Sequence, residues 1–318
     1  MTNSEPSSLR PCRILVQAPR DEGVTWAAAL VAALPEAEVT VWPSVPPAID
    51  YALVWKPPPE LFARIRPEKA IFNLGAGVDV LLGTATLPEG IPVIRLENAG
   101  MAAQMAEYVT LAVLRAFREA DAYAAQQREG RWQARPQFAK SAFGVGILGF
   151  GVLGQAVAGA LAPFAFPLRA WSATRKEFPG VQSFAGQAEL HSFLAASRVL
   201  VCLLPSTPAT RGLLDHANLS RLPRGAHVVN VARGEIIVDE DLVALLDQGH
   251  LASATLDVFR VEPLPAGHPF WHHPRITLTP HISAVTMIDD SIAQIAAKIR
   301  RLERGEPVTG SVDRARGY

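Results

Sequence analysis

A glycine-rich turn near the middle of the chain constrains its fold more than any other feature. An apolar run that begins at Phe143 ends in Gly149-x-Gly151-x-x-Gly154, and residues 155–161 then read as a helix. Strand, tight turn and helix in this order place the pyrophosphate of a dinucleotide on the amides at the positive end of the helix. Gly149 would permit the turn, Gly151 would let the backbone approach the pyrophosphate, and Gly154 would let helix and strand pack closely. The motif predicts a nucleotide site, with a glycine-rich turn that binds no ligand as the alternative.

The length and charge of the chain favour a folded protein with a small-molecule partner. Its 318 residues are enough for two domains of ordinary size, and a hydrophobic fraction of 49% supplies a large core. Only 19% of the residues are charged, which excludes a disordered chain. Thirty basic residues balance thirty acidic ones, so no net field attracts nucleic acid or an anionic membrane.

The cysteines and the amino terminus indicate the compartment. Cys12 and Cys202 both lie in apolar runs, which predicts buried, reduced thiols rather than a disulfide. Residues 1–8 are polar and lack the apolar core of a signal peptide, and no apolar stretch approaches the length of a membrane span. We therefore expect a soluble, cytoplasmic protein without a membrane partner.

Short β-rich runs alternate with helical segments along the whole chain, a pattern typical of parallel sheets with helices on their faces. The first third contains five predicted strands, namely Arg13–Val16, Val39–Trp42, Tyr51–Trp55, Ala70–Asn73 and Pro92–Arg95. Residues 26–33 and 60–65 read as helices. Apolar residues at helical spacing then predict one long helix from Met101 to about Gln127.

A second alternating series begins at the glycine-rich turn. Its six predicted strands are Gly144–Leu148, Leu168–Trp171, Val199–Leu203, Ala226–Val231, Ser253–Val258 and Ile276–Thr279. Asp239–Asp247 opens with acidic residues, as a helix start should, and Ala284–Leu302 reads as a last long helix. This order predicts an α/β protein of two domains. Residues 101–284 would form a nucleotide-binding domain, and residues 1–100 together with 285–318 would form a substrate-binding domain.

The order of several short motifs is similar to that of one enzyme family. These landmarks are Asn73–Asp79, the glycine-rich turn, Val231–Gly234, Leu256–Phe259, Glu262-Pro263 and Thr279–His281. Over nearly its whole length the chain resembles the D-isomer-specific 2-hydroxyacid dehydrogenases, most closely the glyoxylate/hydroxypyruvate reductase A type. The resemblance implies two Rossmann-like domains with parallel sheets, an active-site cleft between them and a homodimer. It also implies hydride transfer between a nicotinamide cofactor and a small 2-keto or 2-hydroxy acid.

Reduction of a 2-keto acid needs three groups from the protein. A cation holds the carboxylate and polarises the ketone, an acid protonates the new alkoxide, and a third group keeps that acid charged. Arg233 closes an apolar strand at the end where open α/β sheets bind ligands, and its guanidinium suits a carboxylate. The alternative is a solvated arginine in a turn, but the resemblance implies a substrate-binding arginine.

The resemblance also makes His281 the general acid/base and Glu262 its carboxylate partner. Arg233, Glu262 and His281 are separated by 29 and 19 residues, as in the family pattern. A neighbouring carboxylate favours the charged imidazolium, which suits protonation of an alkoxide. From the residues alone, a histidine after a strand is more often structural, and Glu262 is an ordinary loop carboxylate.

The small residues of Asn73–Asp79 indicate a loop that approaches a ligand. The resemblance implies that backbone amides among Leu74, Gly75, Ala76 and Gly77 hold the substrate carboxylate, chiefly those of Ala76 and Gly77. A plain glycine turn is the alternative. Trp55 resembles the aromatic wall of small-substrate members, although a core tryptophan fits as well. Trp132, after the long helix, resembles an aromatic that reaches a neighbouring subunit's site in related hydroxypyruvate reductases.

The segment after the turn predicts which nicotinamide cofactor is used. NAD-preferring Rossmann proteins place an acidic residue about 20 residues beyond the turn, whereas residues 155–176 contain none. Hydroxyls and cations at Ser172, Thr174, Arg175 and Lys176 suit a 2′-phosphate instead, so we expect NADP(H) to be preferred and NAD(H) to be possible. The alternative is a surface basic pair. Close relatives often carry a further arginine where this chain has Ala173, which would weaken the phosphate site.

The predicted cofactor-binding residues cover the turn, the 2′-phosphate segment and several strand ends. They are Gly149, Phe150, Gly151, Val152, Leu153, Gly154, Ser172, Thr174, Arg175, Lys176, Leu204, Pro205, Val231, Ala232, Asp257 and His281. Asp257 resembles the family's aspartate that contacts the nicotinamide carboxamide, and a cap at the end of a strand is its alternative role.

Three other readings compete with this one. His268, His272 and His273 cluster, but prolines bracket them and no cysteine is near, so we expect no metal site. A dehydrogenase of a larger D-2-hydroxy acid would share every motif. A nucleotide-sensing protein akin to the related corepressors would keep the fold, although the short polar amino terminus argues against it.

Overall fold

The computed structural model describes residues 11–18 and 22–317. Within them lie twelve strands: β1 (Arg13–Gln17), β2 (Glu38–Val41), β3 (Tyr51–Val54), β4 (Ala70–Asn73), β5 (Val93–Arg95), β6 (Val145–Leu148), β7 (Leu168–Ser172), β8 (Val181–Ala185), β9 (Val199–Cys202), β10 (Ala226–Asn230), β11 (Leu251–Leu256) and β12 (Ile276–Leu278). The same residues form ten α-helices: α1 (Gly23–Ala33), α2 (Leu61–Arg64), α3 (Asp79–Leu82), α4 (Met101–Phe117), α5 (Ala120–Arg128), α6 (Val152–Leu161), α7 (Gly186–Ala195), α8 (His216–Leu219), α9 (Asp239–Asp247) and α10 (Ile288–Glu303).

One compact unit comprises residues 1–100 and 286–318. Its sheet has five parallel strands in the order β2-β1-β3-β4-β5. Every residue of β3 and β4 is buried, as expected of central parallel strands that are covered on both faces. Helices α1 and α10 contact each other in this unit.

The other compact unit comprises residues 101–285. Its sheet has seven parallel strands in the order β12-β11-β10-β9-β6-β7-β8. The apolar residues of α4 and α6 pack with one set of strand residues, and those of α7 and α9 pack with the other set. The strand order changes direction between β6 and β9. Open α/β sheets bind ligands at the carboxyl ends of the strands beside such a reversal.

The sequence predicted the class and most of the elements correctly. The α/β class with two parallel sheets is confirmed, and all eleven predicted strands are present. Strand β8 and helix α7 were not predicted, because Gln182 and Ser183 interrupt the apolar residues of β8 and because α7 opens at a glycine.

Two predicted helices have different bounds. The long helix ends at Phe117 and restarts at Ala120, because Glu119 takes up a left-handed conformation (φ 50°) that cannot continue an α-helix. The last helix begins at Ile288 rather than at Ala284, since Met287 is extended and the acidic first turn starts after it.

The two cysteines are buried and free. Burial raises the pKa of both thiols, that of Cys202 to about 12. Both therefore stay protonated and unreactive near neutral pH. No helix among the described residues combines the length and the apolar character that crossing a membrane requires.

Candidate active site

The glycine-rich turn connects the end of β6 to the start of α6. Gly149 has a φ of 105°, and a Cβ atom on it would lie 2.7 Å from the carbonyl carbon of Leu203. A Cβ atom on Gly154 would lie 2.3 Å from the carbonyl oxygen of Gly149, so the first turn of α6 rests directly on the loop. Both positions therefore require glycine.

The amino end of α6 is open to a ligand. Gly151 precedes the helix in an extended conformation, and apart from its chain neighbours no described residue lies within 4 Å of the place that its Cβ would occupy. Within the described chain no side chain caps this helix, and its first turn carries no acidic residue. Uncapped amides at the positive end of a helix, beside open space, suit an anion. The turn thus fits a dinucleotide pyrophosphate.

The other predicted cofactor-binding residues of this sheet follow the carboxyl ends of β9 and β10. Leu204, Val231 and Ala232 are buried, whereas Pro205 is exposed. In the turn itself Phe150 is buried against Phe178, Val152 is exposed and Leu153 is half-buried. Because β9 pairs in parallel with β6, and β10 pairs in parallel with β9, the topology brings these segments to one edge of the sheet.

The predicted 2′-phosphate segment begins at the last residue of β7. The Ser172 hydroxyl donates to the carbonyl oxygen of Thr174 (2.7 Å), and Lys176 Nζ donates to that of Phe150 (3.0 Å). Lys176 is therefore joined to the glycine-rich turn. Arg175 points to a different partner, because its Nη2 pairs with the Glu189 carboxylate at 2.5 Å.

Sequence reasoning missed Glu189. The stretch without acidic residues ends at Lys176, and Glu189 lies beyond it in the first turn of α7, a helix that was not predicted. An acidic residue at a helix start was the only signal in the sequence that pointed to it.

His281 and Glu262 form a close pair. His281 Nδ1 lies 2.8 Å from Glu262 Oε2, and the amide of Phe259 donates to Glu262 Oε1 (3.1 Å). One carboxylate oxygen thus meets the imidazole while the other is anchored to the backbone. The His281 side chain is 35% exposed. Its φ of 56° lies in the left-handed region, which histidine tolerates better than most residues.

Asp257 organises the segment that carries His281. This buried carboxylate accepts hydrogen bonds from the Thr279 hydroxyl (2.6 Å) and from the amides of Ile282 and Ser283 (both 2.8 Å). The His281 amide donates to the Asp257 carbonyl oxygen (2.9 Å). Asp257 therefore acts as a cap at the end of a strand. Its predicted contact with the nicotinamide stays a prediction.

Arg233 lies just beyond β10 and is half-buried. Asn230 Nδ2 donates to its carbonyl oxygen (3.0 Å), which fixes the end of the strand. At the next residue, a Cβ atom on Gly234 would lie 2.0 Å from the carbonyl carbon of Phe259. The turn that carries Arg233 therefore packs against the segment that leads to Glu262.

The predicted substrate loop belongs to the five-stranded unit. Asn73 Nδ2 donates to the carbonyl oxygens of Gly75 and Gly77 (2.9 Å each), and a Cβ atom on Gly75 would lie 2.1 Å from Cζ3 of Trp55. Trp55 thus covers the loop. Within residues 11–18 and 22–317, the amides of Ala76 and Gly77 have no hydrogen-bond partner. Two donors are available there for an anion.

Leu74 and Trp132 have opposite environments. Leu74 is buried, and its amide donates to the carbonyl oxygen of Val54 (2.9 Å). The Trp132 side chain is fully exposed, although its segment is anchored where Arg135 pairs with Glu119 at 2.7 Å. The predicted role of Trp132 at a neighbouring subunit stays a prediction.

The histidine cluster contacts nearby carboxylates. His268 Nε2 lies 3.6 Å from Asp239 Oδ2, and His273 Nε2 lies 3.2 Å from Asp247 Oδ1. His272 is exposed. The described residues contain no group of three or more histidine, cysteine, aspartate or glutamate side chains arranged to hold a metal ion.

The fold and these residues define a class of protein, the two-unit α/β oxidoreductases that bind a nicotinamide dinucleotide. A family model described as "D-isomer specific 2-hydroxyacid dehydrogenase, NAD binding domain" matches residues 110–283. The chain belongs to the D-isomer specific 2-hydroxyacid dehydrogenase family, whose members are NAD(P)-dependent oxidoreductases that act on CH–OH groups.

Three solved structures illustrate the similarity. A D-isomer specific 2-hydroxyacid dehydrogenase from Xanthobacter autotrophicus Py2, in complex with NADPH and MES, is 42% identical with a TM-score of 0.92, over 97% of this chain and 100% of that one. An NADPH-dependent glyoxylate/hydroxypyruvate reductase from Sinorhizobium meliloti, with NADP and sulfate, is 34% identical with a TM-score of 0.90, over 96% and 100%. A probable 2-hydroxyacid dehydrogenase from Rhizobium etli CFN 42, with NADP, HEPES and L(+)-tartaric acid, is 34% identical with a TM-score of 0.88, over 98% and 100%.

Proposed function

We propose that this chain catalyses the NADPH-dependent reduction of small 2-keto acids, namely glyoxylate to glycolate and hydroxypyruvate to D-glycerate. The observation that carries the proposal is the His281–Glu262 pair, 2.8 Å apart, in the unit that also holds the dinucleotide turn and Arg233. The Sinorhizobium meliloti relative has this activity by name. Residues 101–285 would bind the nucleotide, and residues 1–100 with 286–318 would bind the substrate. The free, buried cysteines suit a reducing compartment such as the cytoplasm.

The proton transfer follows from how the pair is arranged. Because Glu262 occupies Nδ1 of His281, Nε2 is the nitrogen left to donate a proton to the alkoxide oxygen. The carboxylate stabilises the imidazolium before that transfer. Asp257 keeps the histidine segment in place through its three hydrogen bonds.

Arg233 supplies the cation. Its guanidinium would hold the substrate carboxylate and polarise the ketone, and it would stabilise the negative charge that develops on the oxygen. The bound NADPH would supply the hydride. Fixed positive charge where an oxyanion forms lowers the barrier more than it tightens ground-state binding.

For the loop of the five-stranded unit we propose a carboxylate-binding role. The amides of Ala76 and Gly77 are available donors, and the two carbonyls beside them are held by Asn73. Trp55 rests on Gly75, where its ring would limit the size of the substrate.

Replacing Glu262 by glutamine tests the pair. Glutamine can keep a hydrogen bond to His281 Nδ1, but it loses the negative charge beside the imidazole. We expect kcat for reduction to fall by about tenfold or more, with KM for glyoxylate little changed. The measurement is steady-state kinetics with glyoxylate at saturating NADPH, and Glu240→Gln, an exposed residue of α9, serves as the charge-matched control. A Glu262→Gln enzyme with wild-type kcat would mean that Glu262 is only structural.

The preference for NADPH rests on Arg175 and Lys176. A 2′-phosphate carries close to two negative charges, and screening at this exposed edge reduces what each contact contributes. We expect a preference on the order of ten- to a hundredfold in kcat/KM. The double variant Arg175→Ala/Lys176→Ala should lose most of it and keep its NADH activity. Added salt should weaken NADPH binding more than NADH binding.

Initial rates with each cofactor, and fluorescence titration at two ionic strengths, measure these effects. The NADH rate is the internal control for folding. A double variant that keeps the full wild-type preference would show that both cations lie away from the phosphate.

We also propose a homodimer. The fully exposed Trp132 on an anchored segment supports it, because aromatic residues such as tryptophan are enriched at protein–protein interfaces. The mass in solution, by light scattering, tests this assembly. A monomer at working concentration would contradict it.

A further inference from the structure

Arg175, one of the two cations assigned to the 2′-phosphate, is already bound to a carboxylate of the same chain. Its Nη2 lies 2.5 Å from Glu189 Oε1, and its Nη1 donates to the carbonyl oxygen of Ser183 (2.5 Å). Both side chains are partly exposed, at 53% for Arg175 and 38% for Glu189. The Arg175 guanidinium is therefore already paired with the Glu189 carboxylate before a 2′-phosphate binds.

A second hydrogen bond holds the Glu189 carboxylate in place. Its second oxygen, Oε2, accepts a hydrogen bond from the amide of Ala185, the residue that precedes α7 (2.7 Å). This backbone hydrogen bond is the main cause that lowers the pKa of Glu189 below its usual range, and Arg175 adds to the effect. The carboxylate is charged near neutral pH, and its hydrogen bond to the Ala185 amide holds it beside Arg175.

In the part of the chain that the structure describes, Lys176 is paired with no carboxylate. Its Nζ donates to the carbonyl oxygen of Phe150, a neutral group in the glycine-rich turn. The two cations of the predicted phosphate site therefore differ, because one keeps its full charge and the other is partly neutralised by a fixed anion.

We propose that Glu189 is a specificity-determining residue that restrains the preference for NADPH by holding Arg175 in competition with the 2′-phosphate. The inference rests on the proposed function, since it presupposes that Arg175 contacts that phosphate. A carboxylate and a phosphate oxygen bind the same guanidinium edge, so binding of NADP must displace or share the Glu189 contact. NADH, which has no 2′-phosphate, is indifferent to the pair.

The test replaces Glu189 by glutamine. The amide oxygen of glutamine can still accept from the Ala185 amide, while the charge that holds Arg175 is lost. We expect kcat/KM for NADPH to rise about two- to fivefold, the range for an exposed ion pair, with kcat/KM for NADH unchanged. NADPH binding should also depend more steeply on salt, because one more cation is unpaired in the free protein.

Glu177→Gln is the matched control. Glu177 is exposed, lies two residues from Arg175 and loses the same charge when it is replaced. An equal gain in NADPH selectivity in this control would overturn the proposal, because it would indicate a general field effect. Loss of activity with both cofactors in Glu189→Gln would mark Glu189 as structural, and it would overturn the proposal too.

The Arg175→Ala background separates the two proposals. If Glu189 acts through Arg175, adding Glu189→Gln to Arg175→Ala changes the cofactor ratio by less than about 1.5-fold, since the partner is already gone. Suppose that the ratio of kcat/KM for NADPH to kcat/KM for NADH falls or stays constant in Glu189→Gln, whereas Arg175→Ala lowers it. That result would overturn the role of Glu189, and the phosphate site at Arg175 would still stand. If Arg175→Ala leaves the ratio unchanged, the phosphate site at Arg175 fails, and the role of Glu189 fails with it.

Discussion

Replacing His281 by alanine is expected to lower kcat by about two to four orders of magnitude, the usual range for a general acid. Without Nε2 no group at this position can protonate the alkoxide as it forms. The measurement is NADPH oxidation at saturating glyoxylate, with NADPH affinity taken separately from fluorescence titration. That affinity should stay nearly constant, because the amides of the glycine-rich turn are untouched.

A second variant tests whether the loss of activity comes only from a change in backbone conformation at position 281. His281 has a positive φ, and asparagine tolerates that conformation better than alanine does. His281→Asn should therefore fold at least as well as His281→Ala and be equally slow. His272→Ala, which removes an exposed histidine of the same unit, should keep wild-type kcat. If both His281 variants keep more than about a tenth of the wild-type kcat, His281 is not the general acid.

Replacing Arg233 by lysine is expected to lower kcat/KM by about a hundredfold or more. Lysine keeps the charge and loses the planar fork that holds a carboxylate through two parallel hydrogen bonds. The loss should appear in both kcat and KM, because the same group is proposed to bind the carboxylate and to polarise the ketone. Steady-state kinetics with glyoxylate, at saturating NADPH, separate the two parameters.

The control for this variant is Arg221→Lys, the same substitution at an exposed arginine of the same unit. It should leave both parameters unchanged. A near-wild-type Arg233→Lys enzyme would mean that charge alone suffices or that Arg233 does not meet the substrate.

The sheets were predictable because their strands carry a strong local signal. Buried strands such as β3, β4 and β9 read as continuous apolar runs, and the turn after β6 needs glycine at Gly149 and Gly154 for steric reasons that hold in any such turn. Strand β8 lies at the edge of its sheet and is only partly buried. The polar residues Gln182 and Ser183 interrupt its apolar residues, so no local pattern marked it.

The candidate site was predictable only where a motif supplied it. The spacing and order of family motifs pointed to Arg233, Glu262 and His281. The 2.8 Å contact between His281 and Glu262 depends on how the chain folds between them, which the motifs do not give. Glu189 shows more clearly what the sequence could not predict. Its pairing with Arg175 joins a loop residue to a residue of a helix that the sequence did not predict, so the sequence beside the turn did not indicate it.

The most direct test of the central claim is the rate of the wild-type enzyme with each cofactor and a short series of substrates. Initial rates with NADPH and with NADH would be compared for glyoxylate, hydroxypyruvate, pyruvate and a bulky 2-keto acid such as phenylpyruvate. We predict the highest kcat/KM for glyoxylate or hydroxypyruvate with NADPH, exceeding NADH by about ten- to a hundredfold. Equal use of the two cofactors, a preference for the bulky acid, or no turnover with any pair would contradict the account.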